Sequence, residues 1–282
     1  MERYLHRIWP LFVLPTLAAF LIGFLIPFVM GFSLSFCDFT TLSNARFTGF
    51  ENYIKAFSDT TGEFWHALWY TALFAVLSTA VINVLSLAVA LALARGFRGT
   101  NLLRTVFFLP NLIGGIVLGW LWQVILNGLL ARFGATLVTS EWYGFWGLMT
   151  VVVWQQLGYM MIIYLSGLSS IPEEVTEAAA IDGANAWQTF WHVKLPMLMP
   201  SVTICTFLTL TNGFKLFDQN LSLTGGMPSN RSQLLALNIY HTFYGRAGWA
   251  GAGQAKAVVF CLIVVTIALF QLRLTRTKEV QQ

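Results

Sequence analysis

From Ala75 to Ala94 the chain reads AVLSTAVINVLSLAVALALA, without one charged side chain. The hydrocarbon core of a bilayer is roughly 30 Å thick, so a crossing helix needs about 20 mainly apolar residues at 1.5 Å each. This run, extended over about Ala67–Ala94, meets that length. Five other stretches do so as well: about Pro10–Phe36, Val106–Leu126, Trp146–Leu168, Leu198–Leu216 and Ala255–Leu272. Backbone amides in lipid must be satisfied within a helix or a closed barrel. Barrel strands alternate apolar and polar residues over about ten positions, and these runs do not. The prediction is an all-α polytopic membrane protein of about six transmembrane helices, a single domain over 1–282.

Composition agrees. Hydrophobic residues make up 57% and charged ones only 10%, against about 25% charged in a soluble domain. The sixteen Lys and Arg are scattered, many of them flanking the apolar runs, instead of forming a stripe, so the net charge of +4 does not point to nucleic acid. Cys37, Cys205 and Cys261 show no metal-ligand spacing and are odd in number, which leaves them as small hydrophobes. Arg3 and Arg7 precede the first run. That run is too long for a signal peptide and no small-residue cleavage site closes it, so it is expected to stay.

The positive-inside rule sets an orientation. With the N-terminus inside, the inner face receives Arg3, Arg7, Arg95, Arg98, Arg104, Lys194, Arg273, Arg276 and Lys278. The outer face receives Arg46, Lys55, Arg132, Arg231 and Arg246. Both termini are expected to be cytoplasmic. Segments 38–66, 127–145 and 225–253 are then external, 95–105 is a short basic internal turn, and 169–197 is an internal loop.

That last loop reads SSIPEEVTEAAAIDGANAWQTFWHVKLPM. Pro172 suits the first position of a helix, and Glu173 and Glu174 suit its N-terminal dipole. Glu173–Ile181 is a good helix former, and Gly183 ends it, because glycine takes positive φ at little cost. A second amphipathic piece, Ala184–Val193, follows with Phe190, Trp191 and Val193 on its apolar side; Pro196 and Pro200 are expected to close it. Two short helices at an angle, joined to the spans on either side, make a handle for a soluble partner. The alternative is an interfacial helix lying on lipid, which the acidic N-terminal face suits poorly.

The stretch EAAAIDGANAWQTFWHVKLPMLMP resembles the EAA loop of ABC-importer permeases. Glu177, Ala178, Ala179, Gly183, Leu195 and Pro196 match that pattern, and IPEE with Asp182 and Gly183 is similar to the branch that imports sugars and glycerol phosphates. FTGFENYIKAF, RTVFFLPNLIGGIVLGWLW and FKLFDQNLSLTGGMP are similar to other parts of the same branch, so the likeness covers most of the chain. It implies that the loop docks on a cytoplasmic ATPase. It further implies a second homologous permease, two ATP-binding-cassette subunits and an extracytoplasmic solute-binding protein, all in a bacterial or archaeal cytoplasmic (inner) membrane. ATP and Mg would sit on the partner ATPases. This chain has no G-x-x-x-x-G-K-[ST] motif and is expected to bind no cofactor, to hold no catalytic residue and not to be an enzyme.

Polar residues inside spans are functional candidates. Ser78, Thr79 and Ser86 are expected to bond helix to helix, with Asn83 less often a pathway residue than a structural one. Trp154, Gln155, Gln156 and Tyr159 lie in the fourth run; Asn212, Lys215, Asp218 and Gln219 lie in or beside the fifth. Tyr159, Asn212 and Lys215 align with sugar contacts of the maltose-type relative and are the expected substrate pathway. Lys215 has a second reading, slightly preferred: an ion pair with Asp218, three residues on along the same helix. The expected solute is a carbohydrate or related polyol, with a non-sugar solute as the alternative. A self-contained secondary transporter would show inverted repeats and titratable groups near the midplane; no convincing repeat is present. A membrane enzyme would cluster its His6, His66, His192 and His241, which instead lie near or outside span ends.

Overall fold

The computed structural model describes residues 13–58 and 62–276; Arg3, His6, Arg7 and Lys278, and with them the orientation of both termini, lie outside the described residues. The chain divides into two compact units. One comprises residues up to Gly62 with Ile239–Cys261, the other Glu63–Asn238 with the residues from Leu262 on.

In the first unit, helix α1 (Val13–Leu34) is apolar throughout and buries none of its residues. A two-residue hairpin pairs Cys37–Asp38 (β1) with Arg46–Phe47 (β2), and a short helix α2 (Glu51–Phe57) follows. Asn52 holds this cap together by donating to the carbonyls of Ser35 and Cys37 at 3.0 and 2.8 Å. Lys55 donates to the Gly248 carbonyl at 2.7 Å and lies over the Trp249 ring.

The second unit is built on α3 (Glu63–Leu93), α4 (Thr100–Phe108), α5 (Gly115–Leu130), α6 (Glu141–Ser169), α7 (Glu173–Ile181), α8 (Ala186–Met197), α9 (Met199–Lys215) and α10 (Asp218–Leu223). Helices α11 (Leu235–Gly245) and α12 (Ala250–Arg276) complete the described chain. Five helices among the described residues are long and apolar enough to cross a membrane, and there are six if the bent pair α8–α9 is counted as one span. α3, α6 and α9 pack most closely. Their core centres on Tyr70 and Phe74, whose rings meet Phe145 edge-on at 5.4 and 5.7 Å.

Small and polar residues set the spacing, as expected where lipid offers no hydrophobic drive between helices. A side chain on Gly158 of α6 would overlap the Phe107 carbonyl of α4, so the two backbones touch there. Asn83 of α3 donates to Thr209 of α9 at 2.9 Å and accepts from Tyr164 of α6 at 2.6 Å, which ties three spans at one point. Ser86 bonds across to the Leu157 carbonyl at 2.9 Å, whereas Ser78 bonds within its own helix.

Two regions depart from expectation. The third run does not form one helix from Val106, and 95–105 is not simply a turn. Residues Thr100–Phe108 form α4, a 3₁₀ turn covers Leu109–Leu112, and the span begins at Gly115. Pro110 removes a backbone donor, and Gly114 is extended (ψ 140°), so the helix cannot run through. The second loop piece begins at Ala186, not Ala184, and Pro196 does not end it. A π turn at Phe190–Lys194 precedes Pro196, and the chain bends by 69° only at Leu198. The widened turn pairs Leu195 N–H with the Phe190 carbonyl, which gives the proline ring room. The same arrangement recurs at Leu21–Leu25 before Pro27.

Candidate functional site

The loop between α6 and α9 is a knob of two short helices. Pro172 is the residue before α7 rather than its first, with ψ 136°, and Glu173 and Glu174 occupy the first turn. At the other end Gly183 adopts φ +80°. Its N–H bonds to the Ala180 carbonyl and that of Ala184 to the Ala179 carbonyl, the paired bonds of a Schellman cap. Asn185 then caps α8 through a reciprocal pair with Gln188 at 2.9 Å. Asp182, Gly183 and Ala184 thus make a short corner fixed at both ends. Glu177, Ala178 and Asp182 are exposed and Ala179 is half-buried. Ile181 (86% exposed) and Trp187 (70%) present apolar surface at the tip. Leu195 and Pro196 lie in the last turn of α8, immediately before the bend.

A polar cleft of about 430 Å³ opens where two helices are interrupted. α9 ends at Lys215, Leu216 is extended (ψ 119°), and α10 starts at Asp218. Asn111 enters from the 3₁₀ turn between α4 and α5, and Gln155 and Gln156 enter from α6. Asn212, Lys215, Asp218 and Gln219 complete the polar part of the lining, and Leu216 and Phe217 at the break join it. Irregular backbone at membrane depth is tolerated where it lines a cavity, which fits a cleft built from helix breaks.

Gln155 joins the breaks. Its amide donates to the Ile113 carbonyl at 3.0 Å, and its oxygen accepts from Gln219 at 2.6 Å. Gln156 is buried with its side-chain oxygen unpartnered. α5 lies tight against α10, because side chains on Gly115 or Gly119 would strike Gln219 and Ser222, and Gln123 donates to the Leu223 carbonyl at 2.9 Å.

Of the three residues expected in the pathway, Asn212 and Lys215 line this cleft, while Tyr159, one turn beyond Gln156, is exposed and does not. The Lys215–Asp218 pair is also corrected. The break at Leu216–Phe217 puts the two on different helices, and among the described residues they form no ion pair. Sequence reasoning missed Asn111, whose signal is its place beside Pro110 in a span that breaks. It also missed Lys256, buried in α12 and donating to Thr242 at 2.9 Å. Among the described residues, no group of three or more His, Cys, Asp or Glu side chains could hold a metal ion.

Residues 83–278 match the family described as binding-protein-dependent transport system inner membrane component. The chain belongs to that family. It is 42% identical, over 96% of its length and 94% of the relative's, to the probable starch degradation products transport system permease protein AmyD of Thermoanaerobacterium thermosulfurigenes. It is 33% identical, over 84% of each chain, to the multiple sugar-binding transport system permease protein MsmF of Streptococcus mutans. In fold it resembles a chain of a bacterial ABC transporter involved in import of the acidic polysaccharide alginate, with a TM-score of 0.83, 20% identity and 98% coverage of both. As a member of this family the chain is a multi-pass membrane protein whose work is transport, in a binding-protein-dependent ABC system.

Proposed function

We propose that the chain is one of two permease subunits of a carbohydrate importer. The loop 169–197 docks on a cytoplasmic ATPase, both termini are cytoplasmic, and an external binding protein delivers the solute. Two ATPases bind ATP and Mg and supply the energy; this chain is not itself an enzyme and binds no cofactor.

One observation carries the reading: the knob and the cleft share their two supporting helices. α6 runs from Gln155 and Gln156 to Ser169 at the knob, and α9 runs from the bend at Leu198 to Asn212 and Lys215. At 1.5 Å per residue the two sites are roughly 20–25 Å apart along rigid helix. A partner holding the apolar tip at Ile181 and Trp187 would therefore move both walls of the cleft. Carboxamides and one ammonium suit a polyhydroxylated solute, since they offer donors and acceptors in several directions. The printed functions of AmyD and MsmF support the carbohydrate class.

The test is deletion of the gene in its own host, with uptake of labelled oligosaccharides and of amino acids measured side by side. Loss confined to one or more oligosaccharides supports the reading. Intact carbohydrate uptake with loss of amino-acid uptake rejects it.

A further inference from the structure

A second cleft, of about 810 Å³, lies beneath the knob, between the C-terminal ends of α3 and α6. Three cations reach it: Arg95, just past the end of α3; Arg104, from α4; and Lys194, in the π turn before α9. Glu173 is the acidic residue in the lining. Among the described residues none of the three cations has an ion-pair partner within 4.0 Å. The Arg104 Nε is moreover buried without a hydrogen-bond partner. Like charges converging in a partly enclosed space focus a positive potential, and a buried guanidinium donor without an acceptor is costly. An anion would relieve both.

Leu91, Leu165, Leu168 and Phe190 supply apolar wall beside the cations, and Ser169 and Thr176 add two hydroxyls. Arg95 follows the last turn of the long apolar helix α3, Lys194 precedes α9, and Arg104 lies on the short helix α4 between two spans. A ligand with a phosphate at one end and hydrocarbon at the other fits both halves of the wall, and guanidinium groups suit phosphate geometry. Basic pockets between spans are recognition sites for anionic headgroups.

We propose that this cleft binds a phosphate-bearing anion, the headgroup of an anionic phospholipid. Bound there, the lipid bridges α3, α4 and the root of the knob.

The experiment is native mass spectrometry of the full chain purified from vesicles of phosphatidylglycerol and phosphatidylcholine in equal parts. The wild type is expected to retain phosphatidylglycerol in preference to phosphatidylcholine. Neutralising one cation lowers that retention about fivefold, and R104Q with K194Q lowers it by the product of the two. Arg104→Lys keeps most of it, and R132Q, remote from the cleft, leaves it unchanged. Added inorganic phosphate distinguishes the sources: displacement of the lipid assigns the site to a free phosphate, and persistence assigns it to the headgroup. Equal retention of the two lipids by the wild type, or full retention by the folded double variant, overturns the proposal. No ATPase or solute enters the measurement, so its failure leaves the transport reading untouched.

Discussion

The side-chain amide of Gln219 donates to the Gln155 oxygen at 2.6 Å, and Gln155 in turn donates to the carbonyl of Ile113. One buried glutamine thereby fastens the two points at which helices break. Without it, a carbonyl and an amide would be stranded at membrane depth, each costing about 1–3 kcal/mol. Replacing Gln155 by Leu is expected to lower the melting temperature of the purified chain by several degrees. Equal stability of wild type and Gln155→Leu in a thermal shift assay would show that the breaks hold themselves.

The contact of Gly158 with the Phe107 carbonyl leaves no space for a side chain. Gly158→Leu should prevent α4 from packing on α6, seen as loss of monodisperse protein on gel filtration. Gly128 of α5 has nothing within 4 Å of its would-be side chain, so Gly128→Ala should be neutral or stabilising by up to about 1 kcal/mol.

Asn83, Tyr164 and Thr209 form one node across three spans. A double-mutant cycle on Asn83→Ala and Tyr164→Phe should give a coupling of about 0.6 kcal/mol and at most about 1.7, the span found for hydrogen bonds between membrane helices. Additive effects on stability would place the two bonds on separate footings.

Lys215 lines the cleft and has no partner in Asp218. Lys215→Met should lower uptake or the apparent affinity for the solute while leaving stability within about 0.5 kcal/mol. Unchanged transport would remove Lys215 from the pathway.

Much of this was legible in the sequence, and the exceptions have a common cause. Ala67–Ala94 was expected where Glu63–Leu93 is found, and α7 covers the predicted Glu173–Ile181, because length and apolar content decide such helices locally. The break at Leu216–Phe217 carries no glycine or proline; it comes where α10 packs on Gly115 and Gly119, a tertiary contact that no local pattern announces. Pro110 and Gly114 did announce the break before α5, but the apolar run across them masked it. Pro196 misled in the opposite sense, since a π turn absorbs it. Tyr159 and Lys215 show the same limit: a helical register places a residue on its own helix, not beside its neighbours.

The central claim is that the knob is the handle through which energy reaches the cleft, and its corner rests on Gly183 at φ +80°. The most direct test is a mild-detergent pull-down of the tagged chain from its own host, wild type beside Gly183→Pro. The account predicts that the wild type brings down an ATPase and a second permease, and that the variant keeps the permease and loses the ATPase. An ATPase retained in full by the folded variant, or a stable wild-type chain recovered alone under conditions that preserve such complexes, would contradict it.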